Sequence, residues 1–199
     1  LKEEFRVTLI DLYGFGESQH PDYPLKIEDY AAGVREVIRE VSDGEVILIA
    51  HSFGGRVALR LAAQDPAIIG LVLIDSAGMR PRRGPCYYAK VLSYKLIKRF
   101  GGKRLPQGSE DYRLLKGSMR KTFVNVVNEG SEGDAKRVTA PTLLLWGRED
   151  QDTPLYMCRR LHRLIPSSEE VILDGSGHFS YLERPELVYR VVRAFARSV

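Results

Sequence analysis

Apolar positions along the chain fall into short continuous runs that alternate with stretches of helical spacing. Val46 to Ala50 is an unbroken apolar run and reads as a strand buried on both faces, followed by a helix carrying Val57, Ala58, Leu59, Leu61 and Ala62. Before it, Ile27, Tyr30, Ala31, Val34, Val37, Ile38 and Val41 form a helical stripe with charged residues between them, ended by Ser42-Asp43-Gly44. Phe5 to Asp11 is a β-rich run closed by Gly14 and Gly16. Ile68 to Ser76, Ala140 to Trp146 and Glu169 to Leu173 predict further strands, and Pro185 to Val199 a closing amphipathic helix. Strand and helix alternate, which predicts an α/β fold: a mostly parallel sheet flanked by helices, with right-handed crossovers. Such sheets hold ligands at the carboxyl ends of their strands, where Ser52, Asp75 and the Gly14 to Ser18 loop all fall.

Residues 79–134 break this alternation and read as an insertion between core segments 1–78 and 135–199. Its first part has helical spacing at Tyr88, Val91, Leu92, Leu96 and Phe100; a second helix over Tyr112 to Val127 would turn Met119, Phe123, Val126 and Val127 inward. From Met79 to Lys121 thirteen Lys or Arg face only Glu110 and Asp111, a net +11 in a chain that is +4 overall. A solvated surface is the commonest meaning of such charge, and an anionic group on a substrate comes next. No stacked aromatic pattern or fold motif points to nucleic acid, and Tyr87, Tyr88 and Tyr94 sit at packing spacing.

With 199 residues and 44% hydrophobic positions, the chain fits one domain, and no apolar run is long enough for a membrane span. No secretory leader is recognisable, and Cys86 and Cys158 stand at unrelated spacing, so reduced thiols and a cytoplasmic location are expected.

The apolar run Val46 to Ala50 breaks at His51-Ser52, with the small residues Ala50 and Gly54 two positions either side of Ser52, before helical spacing resumes. A strand-to-helix turn here would crowd the side chains two before and two after Ser52. Ala50 and Gly54 fit that crowding, and Gly55 would let the helix approach closely. A lone serine before a helix is most often an N-cap. The whole segment, A-H-S-F-G-G, instead resembles the nucleophile elbow of the α/β-hydrolase superfamily, with Ala50 in place of the first glycine.

Three further segments carry the same resemblance. D-L-Y-G-F-G-E-S, from Asp11, is similar to the D-x-x-G-x-G-x-S loop after the family's fourth strand. A-P-T-L-L-L-W-G-R-E-D, from Ala140, is similar to the segment that brings the triad acid, which places that role on Asp150. Glu149 and Asp152 stand beside it, Asp152 suits a helix cap, and Asp75 occupies the other position from which family members supply the acid. G-H-F-S-Y-L-E-R-P matches the segment of the general base, His178. Of the other histidines, His20 lies in an early loop, His51 within the elbow, and His162 at helical spacing among arginines.

The resemblance implies a capped serine hydrolase acting through Ser52, His178 and Asp150, with the insertion as lid and the Phe53 N–H as one oxyanion donor. Serine at the elbow leaves esters, thioesters, lactones, amides and C–C bonds of small molecules as substrates. No metal-ligand spacing or phosphate-binding loop appears, and no cofactor is expected. The family's first three strands and their His-Gly loop, which supplies a second donor, have no counterpart before Phe5. Three explanations stand: a sequence continuing before Leu1, an N-terminus removed or disordered, or a short paralogue kept as a non-catalytic binding protein. The chain starting at Leu1 is expected to be a weak catalyst, and its uncovered strand edge to favour a homodimer.

Overall fold

The computed structural model describes residues 1–42, 44–81 and 115–199. The helical face expected over Tyr88 to Phe100, most of the basic insertion, and Cys86 lie outside the described residues.

Four strands, β1 (Val46–His51), β2 (Ile68–Ile74), β3 (Thr142–Gly147) and β4 (Ser168–Leu173), make one parallel sheet in the order β1-β2-β3-β4. The described helices are α1 (Ile27–Val41), α2 (Phe53–Ala62), α3 (Gly117–Asn128), α4 (Glu132–Ala135), α5 (Tyr156–Leu164), α6 (Ser180–Glu183) and α7 (Pro185–Ala196). The period-2 alternation of β2 and β3 divides their side chains between two layers. Leu71, Leu73, Leu144 and Trp146 join the core shared with α1, α2 and α5, while Val72, Ile74, Leu143 and Leu145 pack with Val188 and Val192 of α7. Burying each such side chain contributes about 1.5–3 kcal/mol. This two-sided demand explains the continuous apolar runs of the two inner strands.

β1 corrects one expectation. It is an edge strand rather than one buried on both faces, and Ile49 is 47% exposed. The reason is topological: among the described residues nothing hydrogen-bonds to its outer side. Phe5 to Asp11 is a second correction, since it forms no strand and Leu9 is 91% exposed. An apolar β-rich run becomes a strand only where a neighbour accepts its ladder of hydrogen bonds, and the described sheet ends at β1.

The helix after the insertion is α3, and its inward face differs from the expected one. Met119, Thr122 and Val126 are buried, whereas Val127 is 48% exposed and Phe123 only partly covered. Thr122 takes the inner position because its hydroxyl accepts the Leu25 N–H at 2.9 Å, and Asn125 donates to the Leu25 carbonyl at 3.1 Å. A charge cluster fastens the same region to α2. Arg60 binds Glu28 of α1 at 2.7 Å, Glu129 just past α3 at 2.7 Å, and the buried Asp134 of α4 at 2.9 Å. The helix that follows Ser52 is thereby braced against three elements.

Candidate active site

Ser52 stands between β1 and α2 with φ 48° and ψ −115°, a left-handed conformation that strains any residue with a side chain. The surrounding backbone holds it there. The Ser52 N–H donates to the Ile74 carbonyl at 3.1 Å, and its own carbonyl accepts the Ala77 N–H at 2.9 Å. α2 leaves no room for a side chain at Gly55, where a Cβ would lie 1.8 Å from Ser76 Oγ, just past β2. At Gly54 a Cβ would meet Ala50 Cβ at 3.6 Å, an ordinary contact, so Gly55 is the glycine the turn demands. Phe53 opens α2, and its N–H is among the first four of the helix, which have no intrahelical acceptor. Its ring stacks on Phe15 at 5.5 Å, so the Asp11 to Ser18 loop lies against the elbow. That loop closes on itself: the Asp11 carboxylate accepts the Glu17 N–H at 3.0 Å, and the Ser18 hydroxyl donates to the Asp11 carbonyl at 2.7 Å.

His178 reaches Ser52 from the loop between β4 and α6. Its Nε2 lies 2.9 Å from Ser52 Oγ, and its Nδ1 lies 2.9 Å from Asp150 Oδ2. The bond to Asp150 holds the His178 pKa above the ordinary histidine value, against the opposing pull of burial. For Asp150 burial pushes upward, but the hydrogen bonds from His178 and Thr153 outweigh it and leave the carboxyl below its usual range. The Asp150 carboxylate also accepts the N–H groups of Asp152 at 2.8 Å and Thr153 at 2.9 Å. These bonds fix the carboxylate before any substrate arrives. Although donor atoms of Asp150, Asp152 and His178 all lie within 4.8 Å, Asp150 already accepts His178 and Thr153, so this is not an open set of metal ligands.

The other candidates separate clearly. The fully buried carboxylate of Asp75 accepts the Gly147 N–H at 2.8 Å and both the N–H and hydroxyl of Ser180, and burial raises its pKa. Glu149 accepts the N–H groups of Gly175 and Ser176 at 3.1 and 2.7 Å, which steadies the loop before His178. Asp152 is exposed and caps no helix, since α5 begins at Tyr156 behind Leu155. His162 pairs with Ser168 at 3.0 Å. The Cys158 thiol is buried and pushed up to about 12, which suits an inert core position.

Four residues of the site make contacts that the sequence did not predict. Thr153 places its hydroxyl 2.6 Å from Asp150 Oδ2 and 3.0 Å from the Asp75 carbonyl, and its single proton serves one of them at a time. Gly147 allows the two loops to touch, because a Cβ there would lie 2.2 Å from the Gly177 carbonyl oxygen. Ser180 anchors the start of α6, and His51 donates from Nε2 to the His178 carbonyl at 2.7 Å. His51, Gly147 and Ser180 stand inside the quoted segments and Thr153 three residues past Asp150, but nothing in the segments assigns them these contacts.

The family model described as "Alpha/beta hydrolase family" matches residues 1–191, and the chain belongs to that family. Among its relatives is a protein of Bacillus subtilis called uncharacterized hydrolase YugF, 25% identical over 99% of this chain and 82% of that one. A 2-hydroxy-6-oxo-6-(2'-aminophenyl)hexa-2,4-dienoic acid hydrolase of Metapseudomonas resinovorans is 24% identical over 94% of this chain and 72% of its own. The solved structure of a meta-cleavage product hydrolase from Pseudomonas fluorescens has the same fold, with TM-score 0.69 and 20% identity over 94% of this chain and 78% of that chain. No helix among the described residues is long and apolar enough to cross a membrane.

Proposed function

We propose that this protein is a serine hydrolase that cleaves an ester-like bond of a small molecule through an acyl-enzyme on Ser52. The observation that carries this reading is the line of two 2.9 Å contacts from Ser52 Oγ through the His178 ring to Asp150. Serine is a weak nucleophile at neutral pH, so His178 takes its proton as Oγ attacks the carbonyl carbon. Asp150 keeps Nδ1 protonated and stabilises the imidazolium that forms. The Phe53 N–H, reinforced by the positive end of α2, donates to the oxyanion. His178 then returns the proton to the leaving group, and water repeats the sequence to release the acid.

Residues 79–134 act as the cap in this reading, and the net +11 between Met79 and Lys121 favours a substrate with an anionic group. The relative named as a hydrolase of a dienoic acid is in keeping with such a group. The test is pre-steady-state turnover of a series of p-nitrophenyl esters, neutral and carboxylated. A burst matching the enzyme concentration and an acyl adduct on the Ser52 peptide are expected. The carboxylated ester should be preferred at low salt, and the preference should fade as salt screens charges beyond about 10 Å. Turnover that survives Ser52→Ala would refute the acyl-enzyme on Ser52, and equal, salt-independent rates would refute the anionic preference.

A further inference from the structure

We infer that His51 is a positioning residue, which sets the distance between nucleophile and base by holding the main chain of His178. The inference rests on the serine-hydrolase reading. His51 ends β1 and is bonded directly to Ser52. Its Nε2 lies 2.7 Å from the His178 carbonyl oxygen. A carbonyl only accepts, so Nε2 carries the hydrogen. The ring is fixed by packing, with centroids 4.9 Å from His178, 5.5 Å from Phe179 and 4.9 Å from Tyr181.

The rest of the His178 loop is tied at its flanks. Glu149 holds Gly175 and Ser176, Glu183 holds the Gly177 N–H at 2.7 Å, and Asp75 holds Ser180. His51 differs in gripping residue 178 itself, from the residue adjoining the nucleophile. Its bond therefore closes a short ring through the Ser52 side chain, the His178 ring and the two backbones. A displacement of about 1 Å between reacting groups costs on the order of 10²-fold in rate, so one well-placed donor here has leverage on the chemical step.

Two variants and one spectrum test this. His51→Phe retains a ring without the donor, and His51→Gln retains an N–H donor without the ring. In His51→Phe, kcat for an activated ester and the rate of fluorophosphonate labelling should both fall about tenfold to a hundredfold, with KM little changed. His51→Gln should recover most of that loss, with urea midpoints showing both variants folded under assay conditions. Full activity in His51→Phe would overturn the inference, as would a His51→Gln that is folded yet equally slow. Should His51→Phe fail to fold, long-range ¹⁵N–¹H spectra of the wild-type protein decide: hydrogen on His51 Nε2 with a bare Nδ1 is expected at neutral pH, and the opposite tautomer overturns the inference. A wild-type protein that neither turns over esters nor labels at Ser52 would refute the serine-hydrolase reading instead, and the tautomer would still report on the His51 bond.

Discussion

Asp75 and Ser180 are joined twice, through the Ser180 N–H at 3.2 Å and its hydroxyl at 2.5 Å. Asp75 also receives the Gly147 N–H, so one buried carboxylate ties the end of β3 to the start of α6, two residues past His178. The same residue has φ 43°, a strained conformation kept by these contacts. Asp75 is thus a brace beneath the site, while Asp150 is the carboxylate bonded to the His178 ring.

That division predicts opposite signatures for two otherwise similar substitutions. Asp150→Asn should lower kcat by on the order of 10⁴. Asp75→Asn should cost about 1–3 kcal/mol of stability, because an amide cannot satisfy the same donors, and it should lower kcat less. Kinetics and urea melts on the pair check this. A crippled but stable Asp75→Asn beside an active Asp150→Asn would reverse the assignment.

The raised His178 pKa sets a pH dependence. The base must be neutral to accept the Ser52 proton, so kcat/KM should rise with pH through an inflection above about 6.5, the ordinary histidine value. The stability contributed by this raised pKa is full below the unfolded value and disappears as pH rises through the folded one. In Asp150→Asn the His178 inflection, followed by NMR, should fall, because the hydrogen bond that raises it is weakened and the negative charge is gone. An unchanged inflection would mean that Asp150 does not supply the field.

The elbow predicts a contrast between adjacent glycines. Gly55→Ala drives a Cβ into Ser76 and should cost about 1–3 kcal/mol with loss of activity. Gly54→Ala meets only an ordinary contact with Ala50 and should be tolerated far better. Thermal melts of both variants provide the comparison, and equal losses would mean that the turn packs differently.

What was legible in the sequence depends on how local its cause is. α1 spans Ile27–Val41, as its stripe predicts, because an amphipathic helix writes its period into consecutive residues. β2 and β3 read as buried runs because both of their faces are covered. The edge position of β1 and the unpaired Phe5 to Asp11 did not show, since the residues of a strand do not record what lies beside it. Thr122 was passed over for Phe123 and Val127 because its value comes from Leu25, 97 residues earlier. Ser52, Asp150 and His178 stand in recognisable motifs; His51 stands in the elbow and Asp75 was read as the alternative acid, but the contacts that make each a brace come from partners 127 and 105 residues away and leave no trace in either segment.

The most direct measurement of the central claim is labelling by a fluorophosphonate, which reacts only with a serine whose proton can be removed as it attacks. Mass spectrometry should find one adduct, on the peptide containing Ser52, with labelling abolished in Ser52→Ala and slowed in His178→Ala. Labelling that persists in Ser52→Ala, or an adduct on another serine, would contradict the account.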